Sequence, residues 1–268
     1  MIDIMKKRMT SLVLALAMCL SLCTTVFADP GASVEEKRAY LMSNSNVPAD
    51  FLNSVEDEII LKIYEEIAVN GATVASYDQV TENMEPSTQT ISPISSIPSS
   101  DFKMSTLVLK SKGDAKLKVW YYTVYTHYEW FDKDPFCRRR DGITVNWDNT
   151  LFSYEAGSFA VISYLKNDVN TTWRSYASDY SPDEVNQGGL GGSFDLHYDK
   201  GNYLTGTLYF QLTTEFGGSG KRTTINSQYA HTYDLVVAAL GFSKDGPSVV
   251  FETTYKRKLC VSSYTLTL

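Results

Sequence analysis

Two periodicities divide the chain. Val55, Ile59, Ile60, Ile63, Tyr64 and Ile67 recur at helical spacing, whereas past Lys103 apolar residues alternate every second position. Ser33 followed by Glu36 is a capping-box pattern and predicts a helix over Val34 to about Asn44. Asn46-Val47-Pro48 interrupts it, and Pro48 suits the first position of a short turn through Leu52. Ser54 then reads as the N-cap of a second helix. Its first turn holds Glu56, Asp57 and Glu58, and Asn70-Gly71 stops it. The prediction for residues 29–71 is a small acidic helical hairpin. Residues 72–102 lose apolar periodicity and carry Ser87 to Thr90 and Ser92 to Ser100, so they read as a Ser/Thr/Pro-rich linker.

Strands are expected at Met104–Lys112, Ala115–Trp130, Ile143–Trp147, Phe152–Leu165, Thr171–Tyr180, Gly192–Tyr198, Tyr203–Glu215, Thr223–Phe242, Pro247–Tyr255 and Lys258–Thr267. Asp199 to Asn202 reads as a hairpin turn, and the glycine runs at 187–192 and 217–220 as flexible connections. Ten short strands with regular turn signals predict a mainly β fold over 103–268: an antiparallel β-sandwich, or a closed barrel as the alternative.

The first 28 residues alter the inventory. Lys6, Lys7 and Arg8 precede an apolar run from Leu12 to Leu22, and Val26-Phe27-Ala28 supplies the small residues of a signal-peptidase site. The expectation is export with cleavage after Ala28, hence a secreted chain without a stable membrane anchor; the alternative is an uncleaved anchor. Export leaves Cys137 and Cys260, which could form a disulfide or stay two separate thiols. The net charge of −7 argues against a nucleic-acid partner, which would require a basic surface. The charge is uneven: residues 29–101 hold thirteen acidic and three basic side chains, so the helical part reads as a solvated face, a propeptide or a docking element.

Seven aromatics crowd residues 117–131. Strand alternation puts Tyr121 and Tyr125 on one face, and Trp120, Tyr122, Tyr128 and Trp130 on the other with Val124. One face must be core. Exposed Tyr and Trp on the other would suit sugar rings or a partner protein, so Trp120, Tyr122, Tyr128 and Trp130 are candidate ligand-binding residues against the alternative of cross-strand ladders. Arg138, Arg139 and Arg140 follow Cys137 and would recognise carboxylate or phosphate, or form ion pairs with Asp132, Asp134 or Asp141. Asp132, Asp134, Asp141 and Asp148 invite a calcium reading, but Pro135-Phe136 after Asp134 breaks the EF-hand spacing, which leaves a discontinuous site as the alternative. His127, His197 and His231 lack zinc-site spacing, and no nucleophile-elbow or phosphate-loop motif occurs. No cofactor, metal or catalytic residue is assigned. Carboxylates such as Glu129 and Glu252 leave a glycosidase open.

Tyr40-Leu41, Val47 to Leu52 and Ile63-Tyr64, together with Trp130, Asp141-Gly142-Ile143 and Trp147, are similar to segments of secreted proteins of Gram-positive bacteria. The resemblance implies export and fold, and no activity. The sequence thus predicts a secreted, non-catalytic β-sandwich that binds a cell-envelope glycan or a surface protein. The alternatives are a membrane-active protein, from the Ser/Thr-alternating strands, and an envelope polysaccharide hydrolase.

Overall fold

A computed structural model describes residues 31–80, 95–96, 102–113, 116, 118–131, 140–167, 171–196, 202–215, 220–232, 240–242, 249–251 and 257–268. The N-terminal helices form as the capping signals require. In α1 (Val34–Asn44) the Ser33 hydroxyl accepts the Glu36 N–H, and the Glu36 carboxylate accepts the Ser33 N–H at 2.7 Å. Pro48 precedes α2 (Ala49–Ser54). Glu56, not Ser54, is the N-cap residue of α3 (Asp57–Tyr64), because the Ser54 hydroxyl turns back to the Phe51 carbonyl. A π-helical turn over Glu65–Val69 ends near Gly71, whose φ of +68° favours glycine. Arg38 ties the helices together by donating to the Leu52 and Val55 carbonyls and to the Asp57 carboxylate at 2.9 Å.

The rest is strand. In chain order the strands are β1 (Thr73–Val80), β2 (Ser95–Ser96), β3 (Phe102–Lys112), β4 (Val119–Trp130), β5 (Arg140–Asn146), β6 (Ser153–Tyr154), β7 (Ala160–Asn167) and β8 (Arg174–Asp179). They continue with β9 (Glu184–Asn186), β10 (Gly189–Asp195), β11 (Asn202–Glu215), β12 (Arg222–Thr232), β13 (Leu240–Phe242), β14 (Val249–Phe251) and β15 (Arg257–Thr267). One sheet runs β1-β3-β4-β11-β7-β8, with β6 also on β11; the second runs β2-β15-β12-β5-β10-β9, and β13 pairs with β14. Both sheets are open, and all their pairings are antiparallel except β2 with β15. The fold is an antiparallel β-sandwich and not a closed barrel.

Three expectations need correction. Thr73–Val80 lies in the segment read as linker, yet it pairs along β3 from Thr73↔Lys110 to Val80↔Met104. The glycine run read as a flexible connection supplies β10: a Cβ on Gly192 would stand 2.8 Å from the Phe159 ring, which occupies the space a side chain would need. Finally, the helices are not a tethered hairpin. They lie on the outer face of the first sheet, where Leu41, Phe51, Leu52, Ile59, Ile60 and Ile63 pack on Leu107, Leu109 and Tyr125. The signal segment, the turn residues Asp199 to Gly201 and most of the expected linker fall outside the described residues.

The molecule is therefore three layers deep. Between the sheets, Tyr122, Val124, Tyr128 and Trp130 of β4 meet Ile143, Val145, Leu190, Phe194, Ile225 and Tyr229. On the other face of β4, Thr123, Tyr125 and His127 are buried beneath the helices. Phe51, fully buried, sits edge-on to both Tyr77 and His127, so it joins the helical layer to two strands. Phe51→Ala should cost about 3–5 kcal/mol by cavity formation. Urea unfolding of the full chain measures it; a loss below about 1 kcal/mol would show that the helical layer is not part of the cooperative unit.

Candidate functional site

The sequence-predicted aromatics are core residues, with one partial exception. Tyr122, Tyr128 and Trp130 are buried between the sheets, where they offer no surface to a ligand. The reason is the second layer: β4 lies mid-sheet, and its even-numbered face is the face that β5, β10 and β12 cover. Trp120, at the start of β4, stays half-buried at the edge of that core. Of the basic run, Arg140 opens β5 with its guanidinium 3.7 Å from Asp183, while Arg138, Arg139 and Cys137 lie outside the described residues, as do Asp132, Asp134, His197 and Glu252. Cys260 is half-buried against the core on β15, where burial pushes its thiol up to about 12.

The two long sides of the sandwich differ. On one side β1 approaches β15, and the Ser262 hydroxyl donates to the Asp78 carboxylate across the sheets. On the other, β8 ends the first sheet and β9–β10 end the second, leaving a cleft of about 180 Å³. Arg140, Ser178, Asp179, Ser193 and Asp195 line it with polar groups over Val161, Ala177 and Phe194. Its walls are braced. The Ser193 N–H donates to Asp183 at 2.7 Å, its hydroxyl donates to the same carboxylate, and the Tyr176 hydroxyl donates to the Asp195 carbonyl at 3.1 Å. Beneath the floor, Phe194 stacks on Tyr128 with ring centres 4.9 Å apart, and the Tyr128 hydroxyl meets Ser163 at 3.2 Å. Tyr128 thus supports the cleft from one layer below. Nothing in the local sequence marks Asp179 or Asp195; three separate strands, β5, β8 and β10, bring the two and Arg140 together.

Next to Arg140 in sequence, Asp141 points into the core. It accepts from the Tyr229 hydroxyl and meets His231 Nδ1 at 2.9 Å, while Trp130 Nε1 donates to the Tyr229 hydroxyl at 2.9 Å. Asp141, Tyr229 and His231 are all at most 1% exposed. A carboxylate–imidazole pair so enclosed, with the Tyr229 hydroxyl on the same carboxylate, anchors β5 to β12. Glu129 faces the helical side of β4, and burial raises its carboxyl pKa.

The helical interface carries a second polar cluster. The Tyr125 hydroxyl donates to Glu66 at 2.6 Å and the Tyr164 hydroxyl to Glu58 at 3.1 Å. His127 Nδ1 meets the Thr207 hydroxyl at 3.0 Å, and burial, with the Lys103 charge, holds the imidazole down to about 3, hence neutral. Glu56 is 2% exposed, and neither carboxyl oxygen has a hydrogen-bond partner among the described residues. The hydroxyl of nearby Thr205 is committed to the Tyr128 carbonyl at 2.7 Å. Burial, reinforced by the Glu129 charge and only partly countered by Arg38, pushes Glu56 up to about 8. It is uncharged at neutral pH.

No protein-family description matches the chain, and no curated protein does. Among solved structures it is similar to the collagen-binding subdomain of the Enterococcus faecalis surface protein ACE, at 10% identity and TM-score 0.33, over 58% of this chain and 90% of that one. It is also similar to Clostridium perfringens delta-toxin, at 7% identity and TM-score 0.33, over 72% and 87%. A collagen-binding domain from a Staphylococcus aureus adhesin gives 8% identity and TM-score 0.28, over 57% and 92%. Likenesses this distant carry no argument about ligand or activity.

The Glu56 proton gives a signed prediction. Its folded-state pKa lies above the ordinary value of 4.5, so the group disfavours folding least below pH 4.5 and stability falls as pH rises from there through about 8. The loss is on the order of a few kcal/mol across that window. Glu56→Gln should flatten this part of the stability–pH profile and raise the melting temperature at pH 8 more than at pH 5. An unchanged difference between the two pH values would remove Glu56 as its source.

Proposed function

We propose that the chain is an extracellular, non-catalytic β-sandwich that binds a cell-envelope or extracellular ligand, a glycan or a protein, in the Arg140 cleft. One observation carries this reading. Arg140, Asp179, Ser193 and Asp195 converge from different strands on the open side of the sandwich, while Asp141, His231, His127 and Glu56 are enclosed in the layers. A guanidinium facing two carboxylates and two hydroxyls supplies donors and acceptors together, which matches a sugar ring or a peptide unit better than an apolar molecule. At about 180 Å³ the cleft is smaller than a typical drug-sized pocket, so it would hold one sugar unit or one side chain of a larger ligand. The export signal at residues 1–28 supports the location, and among the described residues no helix is long and apolar enough to cross a membrane.

Glycan arrays and cell-wall pull-downs test the reading. The wild-type chain should be retained by at least one glycan or wall fraction. Arg140→Ala, which removes charge-assisted hydrogen bonds, should weaken that retention about tenfold. Trp130→Phe, a core change, should leave it near wild type. Retention that is absent throughout, or unaffected by Arg140→Ala and Asp195→Asn together, counts against the cleft.

A further inference from the structure

The β3–β4 hairpin brings together charges that the linear sequence scatters. Lys110 and Lys112 end β3; Lys116 and Lys118 lie in the connection; Trp120 follows at the start of β4, paired with Lys112. In the second sheet, Lys221 precedes β12, Arg222 opens it, and Trp147 follows β5. Trp147 packs on Phe210, near the end of β11 where Glu215 pairs with Val119 at the hairpin, so both sets occupy the same end of the sandwich. Strand alternation adds a direction. Met104 and Val108 are core residues of β3, so Lys110 and Lys112 continue the inner face beyond the core; Lys221 likewise shares the inner face of Ile225 on β12. The three line the mouth of the gap between the sheets.

Six cations therefore gather at this end, against the exposed carboxylates of Glu215, Asp148 and Glu155 among the described residues. Lys112, Lys116, Lys118, Lys221 and Arg222 are exposed. The Lys110 ammonium stands 4.6 Å from the Trp120 ring centre and 5.5 Å from that of Tyr122, which fixes one cation beside a half-buried indole. Lys118 has φ +52°, the left-handed region where glycine or asparagine fits at lower cost. The backbone conformation at this position therefore does not itself favour lysine.

We propose that this end is a second binding surface, distinct from the Arg140 cleft, and that its partner is a polyanionic polysaccharide bearing carboxylate, sulfate or phosphodiester groups along its length. Lysines on flexible stems act as point charges, suited to repeated anions on a mobile polymer rather than to bidentate clamping of a single group. The Trp120 ring holds the Lys110 ammonium among them as one fixed cation. The overall negative charge of the chain gives the patch a local meaning: a polyanion is repelled elsewhere and directed to this end.

Heparin and polygalacturonate columns, with neutral dextran as control, provide the test on the full chain. Wild-type protein should bind both anionic polymers, pass through dextran, and elute earlier as salt rises. Lys112→Ser/Lys116→Ser/Lys118→Gly should weaken heparin binding by about tenfold or more and flatten its salt dependence, because three cations no longer release counterions. Lys118→Gly alone keeps the fold separable from binding: it should match or exceed wild-type melting temperature while binding heparin more weakly. Arg140→Ala should leave heparin binding unchanged, so failure of the cleft and failure of this surface give different results. Equal retention of wild type on dextran and heparin, undiminished binding by the triple variant, or tighter binding to duplex DNA or to phosphatidylglycerol vesicles than to either polysaccharide would overturn the proposal.

Discussion

Burial of β4 on both faces is the constraint around which the molecule is organised. The strand pairs with β3 and β11 along nearly its whole length. Its even positions enter the gap between the sheets and its odd positions enter the gap beneath the helices. An antiparallel sheet usually leaves one face to water and then alternates apolar with polar residues. Here alternation persists, but both sets are buried. The odd-face residues Thr123, Tyr125 and His127 have their polar atoms met by Gln211, Glu66 and Thr207. The helical layer is therefore structural: without it, Leu107, Leu109 and Tyr125 would form an exposed apolar patch on a wide, flat sheet. A propeptide discarded after export would leave that patch behind.

The same constraint accounts for the fate of the aromatic residues. Seven aromatics in fifteen positions suggested a display surface because a sandwich strand ordinarily has one wet face. With neither face wet, Tyr122, Tyr128 and Trp130 become packing elements, and two of the three polar tips find partners inside: Tyr128 with Ser163, and Trp130 with Tyr229 and through it Asp141, while the Tyr122 hydroxyl is buried with no hydrogen-bond partner among the described residues. Only the strand's first turn of the pleat, at Trp120, reaches the edge. Burying Asp141 with two partners fixes the register of β5 against β12 more narrowly than apolar contacts would, since slipping by one residue would leave a buried carboxylate facing the wrong side.

Local signals were legible and long-range coverings were not. The capping box at Ser33–Glu36, the stop at Gly71 and the division of β4 into two faces all follow from near-neighbour chemistry, and each appears in the structure. Strand β1 escaped because Thr73-Val74-Ala75-Ser76-Tyr77 has too few large apolar residues to stand out; it is held by main-chain bonds to β3 and by its contact with β15, partners dozens to nearly two hundred positions away. The glycine run that enters β10 reads as a loop because the use of Gly192 is visible only against Phe159. The cleft was illegible for a similar reason. Arg140 could be flagged as a cation, but Asp179 and Asp195 acquire meaning only when β8 and β10 come to the same open side.

Charge is the last property the layering explains. Helices as acidic as those of residues 34–69 should resist lying against a sheet that carries Glu129. They lie there by sorting their carboxyls by depth. Glu35, Glu36, Asp57 and Glu65 remain in water, whereas Glu56 and Glu66 enter the interface with raised pKa, driven by burial, and Glu66 gains the Tyr125 hydroxyl. A buried ionised carboxylate without a partner would cost far more than keeping its proton, so the interface holds Glu56 neutral. The outward acids then set the sign of the helical face, while Lys112, Lys116, Lys118 and Lys221 are exposed at the hairpin end. The uneven charge along the sequence becomes an uneven charge in space because the acidic helices of residues 34–69 are spread over one sheet face.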